Sequence, residues 1–149
     1  SGGQRDRLMQ RSRDEGLDSL ATWISSIPKA ELARVLPRMD VGMMILKNVP
    51  AFYYGTSPNK FFDYISSGLP VLNNYPGWLA GMIEEKKCGL AVPPDDPKAF
   101  ADAVLWLRDH PDERREMGRR ARELAEERFS RDELGRQFVA TLEEVHRGG

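Results

Sequence analysis

The sequence predicts an α/β domain with a parallel sheet and helices on both of its faces. Four short apolar runs of strand length occur in the 149-residue chain, at residues 20–24, 41–46, 70–73 and 90–92. Of the four, the run at 41–46 is continuous rather than alternating, which is typical of a strand buried on both faces. Segments with helical signals separate them, and strands joined through helices pair in parallel. These observations together predict a doubly wound α/β fold.

Capping residues define the helices between the predicted strands. Ser57 and Asp96 are good N-caps, and Pro58 and Pro97 fit the first helical position, where the missing proline N–H costs nothing. Gly68 ends the helix that begins after Ser57. The predicted helices cover residues 4–13, 29–36, 59–67, 78–87, a segment beginning at 97, 111–129 and 130–146.

Composition excludes several classes of protein. Lys and Arg number 22 against 23 Asp and Glu, so no global basic field exists to bind nucleic acid or a membrane surface. The longest apolar run, 41–46, is far shorter than the roughly 18 residues that a membrane span requires. The single cysteine, Cys88, excludes an internal disulfide, and the two separated histidines offer no metal-binding motif. A cytoplasmic protein with no metal is therefore expected.

The strongest chemical feature is the junction between the loop after residues 41–46 and the next helix. In open α/β sheets, ligands bind outside the carboxyl ends of the strands. Pro58 has no N–H, so the amides of Asn59 and Lys60 are the first donors at the positive end of the helix, a favourable place for an anion. Asp63, three residues after Lys60, is placed to accept from ribose hydroxyls. A nucleotide site and a simple helix cap with a solvated carboxylate both fit this spacing.

Residues 56–71 closely resemble a motif of the group 1 glycosyltransferases (glycosyltransferase family 4). The segment Ser57-Pro58-Asn59-Lys60 is similar to the variant found in polysaccharide and O-antigen assembly enzymes. Further family-like segments follow in order and with family-like spacing. They lie at residues 23–28, 39–42, 88–92, 95–97, 117–118 and 129–130. The resemblance thus covers nearly the whole chain.

This resemblance implies a domain organisation. Residues 1–149 would be part of the C-terminal, donor-binding domain of a GT-B enzyme, with a Rossmann-like sheet. The first strands of that domain and the acceptor-binding N-terminal domain would be absent, and helix 130–147 would cross back to the latter. The run at 20–24 would then be the third strand of the order 3-2-1-4-5-6, without its neighbours. On this hypothesis the isolated fragment is marginally stable and inactive.

The resemblance also assigns roles to site residues. Ser57, Asn59 and Lys60 would bind the phosphate and sugar of the donor. Asp63 matches the second Glu of the family's E-x7-E pattern, which binds the ribose, and is a shorter carboxylate. Gly55 stands where the first Glu contacts the donor sugar, so that contact is absent or replaced.

The nucleotide base is expected near residues 23–27. Trp23, Ile24 and Ile27 are the candidates for this base pocket, although a plain core role for Trp23 stays open. No catalytic residue is assigned within this chain. No metal and no cofactor are expected, because the nucleotide-sugar is itself a substrate.

The implied function is a retaining, hexosyltransferase-type transfer of a sugar from a UDP-sugar to a saccharide or lipid-linked acceptor. The setting would be bacterial surface polysaccharide biosynthesis. Nucleic acid is not an expected partner. Peripheral association with the inner face of the membrane would involve the N-terminal domain. Two alternatives remain: a nucleotide-sugar epimerase of GT-B architecture, and a non-catalytic nucleotide-binding or interaction module.

Overall fold

A computed structural model describes residues 3–147, apart from the side chain of Phe52, and the chain divides into two compact units. The units comprise residues 1–34 and 35–149. Residues 1–2 and 148–149 of the predicted domain lie outside the described part. The elements are α1 (Arg5–Asp14), α2 (Lys29–Val35), β1 (Gly42–Met44), α3 (Asn59–Ser66), β2 (Val71–Asn73), α4 (Trp78–Lys86), β3 (Gly89–Ala91), α5 (Pro97–Asp109), α6 (Pro111–Arg128) and α7 (Arg131–Arg147), with short 3-10 turns at Leu36–Arg38 and Pro50–Phe52.

The second unit contains a parallel sheet in the order β1-β2-β3. Val71 of β2 is in register with Gly42 of β1 on one side and with Gly89 of β3 on the other. The chain passes through α3 between β1 and β2, and through α4 between β2 and β3. The predicted crossover connections and parallel pairing are therefore confirmed.

Helices cover both faces of this sheet. Val71 belongs to a buried cluster that α3, α4 and α6 complete through Phe61, Leu79 and Leu124. Its neighbour Leu72 belongs to a second cluster, which includes Ala103 and Leu107 of α5. Successive residues of a strand point to opposite faces, so the two clusters lie on opposite sides of β2. The predicted α/β architecture with helices on both faces is confirmed.

The predicted strand at residues 20–24 is wrong. This segment of the first unit has no strand assignment, and Leu20, Trp23 and Ile24 are exposed. A strand exists only where a neighbouring strand takes up its backbone N–H and C=O groups. An apolar run can show that a segment suits a strand, but it cannot show that a pairing partner is present. Within residues 3–147 the sheet therefore has three strands rather than four.

The final helix, α7, begins at Arg131, directly after the predicted cap residue Ser130. Each of its described residues is at least partly exposed, including Phe138, Leu142 and Val145 on its apolar face. Its predicted crossing to another domain stays a prediction. Within residues 3–147, no helix combines the length and the apolar character needed to span a membrane.

Alanine substitution at two helical glycines is expected to change the free energy of unfolding in opposite directions. A Cβ on Gly118 of α6 would lie 2.4 Å from the carbonyl oxygen of Gly68, whereas a Cβ on Gly81 of α4 would meet nothing within 4 Å. Gly118→Ala should lower the free energy of unfolding by about 1–3 kcal/mol, because α6 must move away from the end of α3. Gly81→Ala should raise it by about 0.5–1 kcal/mol through helix propensity alone. Urea denaturation of both variants measures the difference, and shifts of the same sign would contradict this packing.

Candidate functional site

The candidate site begins where the loop after β1 enters α3. Pro58 has φ −72° and ψ 126°, so it is extended and occupies the N-cap position, and the helix begins at Asn59. The first bond of the turn runs from the Phe61 amide to the Pro58 carbonyl at 3.0 Å. The prediction of Ser57 as the N-cap is therefore wrong by one position, and no side chain caps this helix. The φ of proline suits both helical and extended backbone, and only its ψ decides where the helix starts.

The predicted phosphate-binding and ribose-binding residues lie together around this first turn. Ser57, Asn59 and Lys60 are exposed, and Asp63 is half-buried one turn further along α3. The amides of Asn59 and Lys60 precede the first intrahelical bond, so they stand at the positive end of the helix. Burial, and then the charge of Asp63, raises the pKa of the Tyr64 hydroxyl. This arrangement offers amides and an ammonium group to an anion, and a carboxylate to a nearby diol.

Two residues at the start of α4 hold the loop before α3. The indole Nε1 of Trp78 donates to the carbonyl of Thr56 at 3.0 Å. Gly77 has φ 114°, and a Cβ there would lie 2.0 Å from the carbonyl oxygen of Tyr53. Only glycine combines this backbone conformation with so close an approach. The pair Pro76-Gly77 before a helix is the sequence signal for this contact, although it does not reveal the partner.

Asparagine side chains continue the sheet at its carboxyl edge. The Asn74 side-chain oxygen accepts from the Leu46 amide at 2.8 Å, and its Nδ2 donates to the Leu46 carbonyl at 3.1 Å. The Nδ2 of fully buried Asn73 donates to the Tyr75 carbonyl at 2.6 Å. These contacts fix the loop that follows β2. The consecutive asparagines at the end of an apolar run are the sequence sign of them.

Gly55 supplies no side chain near the start of α3. It is exposed, and a Cβ built on it would meet nothing within 4 Å. This is the position where the family resemblance expects a glutamate against the donor sugar. The structure therefore leaves open space on this side of the loop.

The base-pocket candidates lie in the first unit. Trp23 is 37% exposed and lines a pocket of about 390 Å³. Ser12 also lines this pocket, and its buried hydroxyl has no hydrogen-bond partner among the described residues. The Ile24 carbonyl accepts from an Arg5 guanidinium nitrogen at 3.0 Å, and the side chain of Ile27 is half-buried. Of the three candidates, Trp23 lines this pocket.

Other reactive groups take no part in this site. Burial raises the pKa of the Cys88 thiol to about 11, so the thiol is protonated at neutral pH and is a poor nucleophile. Across residues 3–147, no group of three or more His, Cys, Asp or Glu side chains is placed to hold a metal ion.

Comparison with known proteins gives relatives that handle sugars. The chain is 28% identical over 145 residues to a D-inositol 3-phosphate glycosyltransferase of Corynebacterium urealyticum, covering 93% of this chain and 31% of the relative. A shorter match of 33 residues is 54% identical to the D-rhamnosyltransferase WbpZ of Pseudomonas aeruginosa, over 22% of this chain and 9% of the relative. The chain thus spans about a third or less of the length of these curated relatives.

One solved structure has a similar fold. A sucrose-phosphate synthase from Thermosynechococcus elongatus superposes on 99% of this chain and 36% of its own with a TM-score of 0.82 at 22% identity, a likeness of fold alone. The family model "Glycosyl transferases group 1" matches residues 1–110. The chain therefore belongs to the group 1 glycosyltransferases.

Proposed function

We propose that the protein transfers a sugar from a UDP-sugar to a saccharide or lipid-linked acceptor, with retention of configuration, in the biosynthesis of a bacterial surface polysaccharide. Membership of the group 1 glycosyltransferases supports transfer from a nucleotide-sugar. The local match to a D-rhamnosyltransferase supports a hexosyl donor. Membership of the polysaccharide and O-antigen subgroup rests on the Ser57-Pro58-Asn59-Lys60 motif.

The observation that carries this proposal is the exposed amino end of α3 at the carboxyl edge of a parallel sheet. The amides of Asn59 and Lys60, the Lys60 ammonium group and the Ser57 hydroxyl would bind the donor diphosphate there. Negative charge grows on the diphosphate as the bond between sugar and phosphate breaks. Hydrogen-bond donors that are already in place stabilise that charge without reorganisation, which is the usual source of the largest rate effects.

The remaining donor contacts are assigned by the same proposal. Within the second unit, Asp63 would accept from the ribose hydroxyls. No residue of this chain is proposed as a covalent nucleophile, and no metal is proposed. The acceptor, and peripheral contact with the inner face of the membrane, would be handled by the N-terminal domain that relatives of this family carry.

Removal of the Lys60 charge tests the diphosphate site. In the full-length protein, Lys60→Ala should lower the rate of acceptor-dependent nucleoside diphosphate release by about tenfold, the effect of one charge-assisted hydrogen bond. The assay offers UDP-, GDP- and ADP-sugars with saccharide and lipid-linked saccharide acceptors. The anomeric configuration of the product is read by NMR.

Lys98→Ala is the matched control, because Lys98 is also the second residue of a helix, pairs with Asp102 and lies outside the proposed site. Equal losses in both variants would contradict a diphosphate role for Lys60. Conversion of the donor without any acceptor would favour the epimerase. Nucleotide binding without turnover would favour the non-catalytic module.

A further inference from the structure

The loop of residues 47–57 joins β1 to the start of α3, and one polar side chain near its beginning connects it to a distant turn. Asn48 Nδ2 donates to the Asp95 Oδ2 at 2.6 Å. The hydroxyl of Tyr53 donates to the side-chain oxygen of the same asparagine. Both ends of the Asn48 amide are therefore used, and only one orientation of that amide satisfies both partners.

Asp95 presents its carboxylate from a turn with a defined shape. Its φ of 57° lies in the left-handed region, which aspartate tolerates better than most residues. The next residue, Asp96, caps α5 by accepting from the Ala99 amide at 2.8 Å. The turn between β3 and α5 is thus tied directly to a helix that packs on the sheet, and it is a firm support for Asn48.

Four contacts together hold this loop. Asp95 accepts a hydrogen bond from Asn48, and Asn48 accepts one from the hydroxyl of Tyr53. The carbonyl oxygen of Tyr53 lies against Gly77. Trp78 then holds Thr56, directly before Ser57. Loss of the first contact would loosen the start of the loop around Asn48, while Tyr53 stays packed against the core cluster and Thr56 stays attached to α4.

We propose that Asp95, acting through Asn48 and Tyr53, is a positioning residue for nucleotide binding at the start of α3. The inference rests on the proposed function. Asp95 does not touch the nucleotide. It keeps the loop 47–57 in the shape that leaves the Ser57 end of the loop and the first turn of α3 open to the diphosphate.

Exchanging the hydrogen-bond donor and the hydrogen-bond acceptor between Asn48 and Asp95 tests the proposal. Asn48→Asp places a second carboxylate beside Asp95, so the hydrogen bond is replaced by repulsion. Asp95→Asn keeps an acceptor and a residue that tolerates the left-handed region. In the double variant Asn48→Asp/Asp95→Asn the new amide donates to the new carboxylate, so the hydrogen bond returns with reversed polarity.

Two readouts are measured on each variant. Hydrogen–deuterium exchange reports the amides of residues 47–57, and calorimetric titration reports the affinity for UDP, GDP or ADP, whichever binds the parent. Asn48→Asp should speed the hydrogen exchange of these amides by about tenfold. It should also lower the affinity for the nucleotide by about tenfold, as the loss of one hydrogen bond to a charged group predicts. The double variant should return both values to within about threefold of the parent. A purely additive result would overturn the inference.

A matched control and a second variant keep the test decisive. Asp102→Asn also removes a carboxylate from an exposed pair, with Lys98 on α5, and should leave both readouts unchanged. If circular dichroism shows that Asn48→Asp is unfolded, Asp95→Gly replaces it, because glycine keeps the turn and removes only the carboxylate. Unchanged affinity in a variant with faster exchange would overturn the inference alone. A parent that binds none of the three nucleotides would overturn the proposed function first.

Discussion

Replacement of Asp63 by alanine is expected to weaken the binding of a ribonucleoside diphosphate by roughly 10- to 100-fold. The carboxylate lies half-buried on α3, one turn after the exposed residues Asn59 and Lys60. Hydrogen bonds from a ribose diol to a charged acceptor each contribute about 1.5–3 kcal/mol, and every 1.4 kcal/mol or so is a factor of ten in affinity. Isothermal titration of the parent and the variant with UDP, GDP and ADP measures the loss and identifies the preferred base.

A change in the ligand separates a ribose contact from a general loss of structure. The parent should prefer the ribonucleotide to its 2′-deoxy form, and Asp63→Ala should lose that preference, because the partner of the missing hydroxyl is gone. Asp63→Asn should keep part of the preference through its neutral oxygen. If Asp63→Ala still discriminates against the deoxynucleotide as strongly as the parent does, the assignment of Asp63 to the ribose is wrong.

Replacement of Phe61 by alanine is expected to cost about 3–5 kcal/mol of stability, against a total of about 5–15 kcal/mol for a typical domain. Phe61 is fully buried on α3, and its ring contacts those of Phe62 and Trp78 edge-on at centroid distances of 5.4 and 6.5 Å. Truncation opens a cavity between α3, the sheet and α4. Urea denaturation followed by circular dichroism measures the change in the free energy of unfolding.

Phe138→Ala is the matched control for this prediction. Phe138 lies on α7 with 65% of its surface exposed, so the same truncation removes few contacts in this chain. Exposed substitutions of this kind usually change stability by about 0.5 kcal/mol or less. A loss below about 1 kcal/mol for Phe61→Ala would mean that α3 is not anchored by this ring.

Local patterns in the sequence predict most of the helix and strand positions. Asp96 and Pro97 show why: the side-chain cap and the fixed proline φ both act within one turn, and Asp96 indeed accepts from the Ala99 amide. Ser57 and Pro58 carry a similar pattern, yet the helix begins one residue later. There the ψ of Pro58 differs, and the loop before it is held from outside by Trp78.

The candidate site likewise combines residues that are close in sequence with contacts between residues that are far apart in sequence. The residues on and just before the first turn of α3 are neighbours in sequence, so spacing alone brings Asn59, Lys60 and Asp63 together. Asn48 and Asp95 are 47 positions apart, and nothing in either local segment indicates that they touch. The pocket beside Trp23 likewise depends on α1, which supplies Ser12.

The sequence by itself determined the fold class and the order of the helices and the three strands from α2 onward. These properties depend on backbone propensity, capping and hydrophobic period, which act over a few residues. Only the tertiary structure decided that residues 20–24 form no strand, that Pro58 rather than Ser57 precedes the helix, and that Asp95 supports the loop through Asn48. The first and the third depend on a partner far away in the chain, because a backbone or polar group adopts the state that its actual hydrogen-bond partner stabilises.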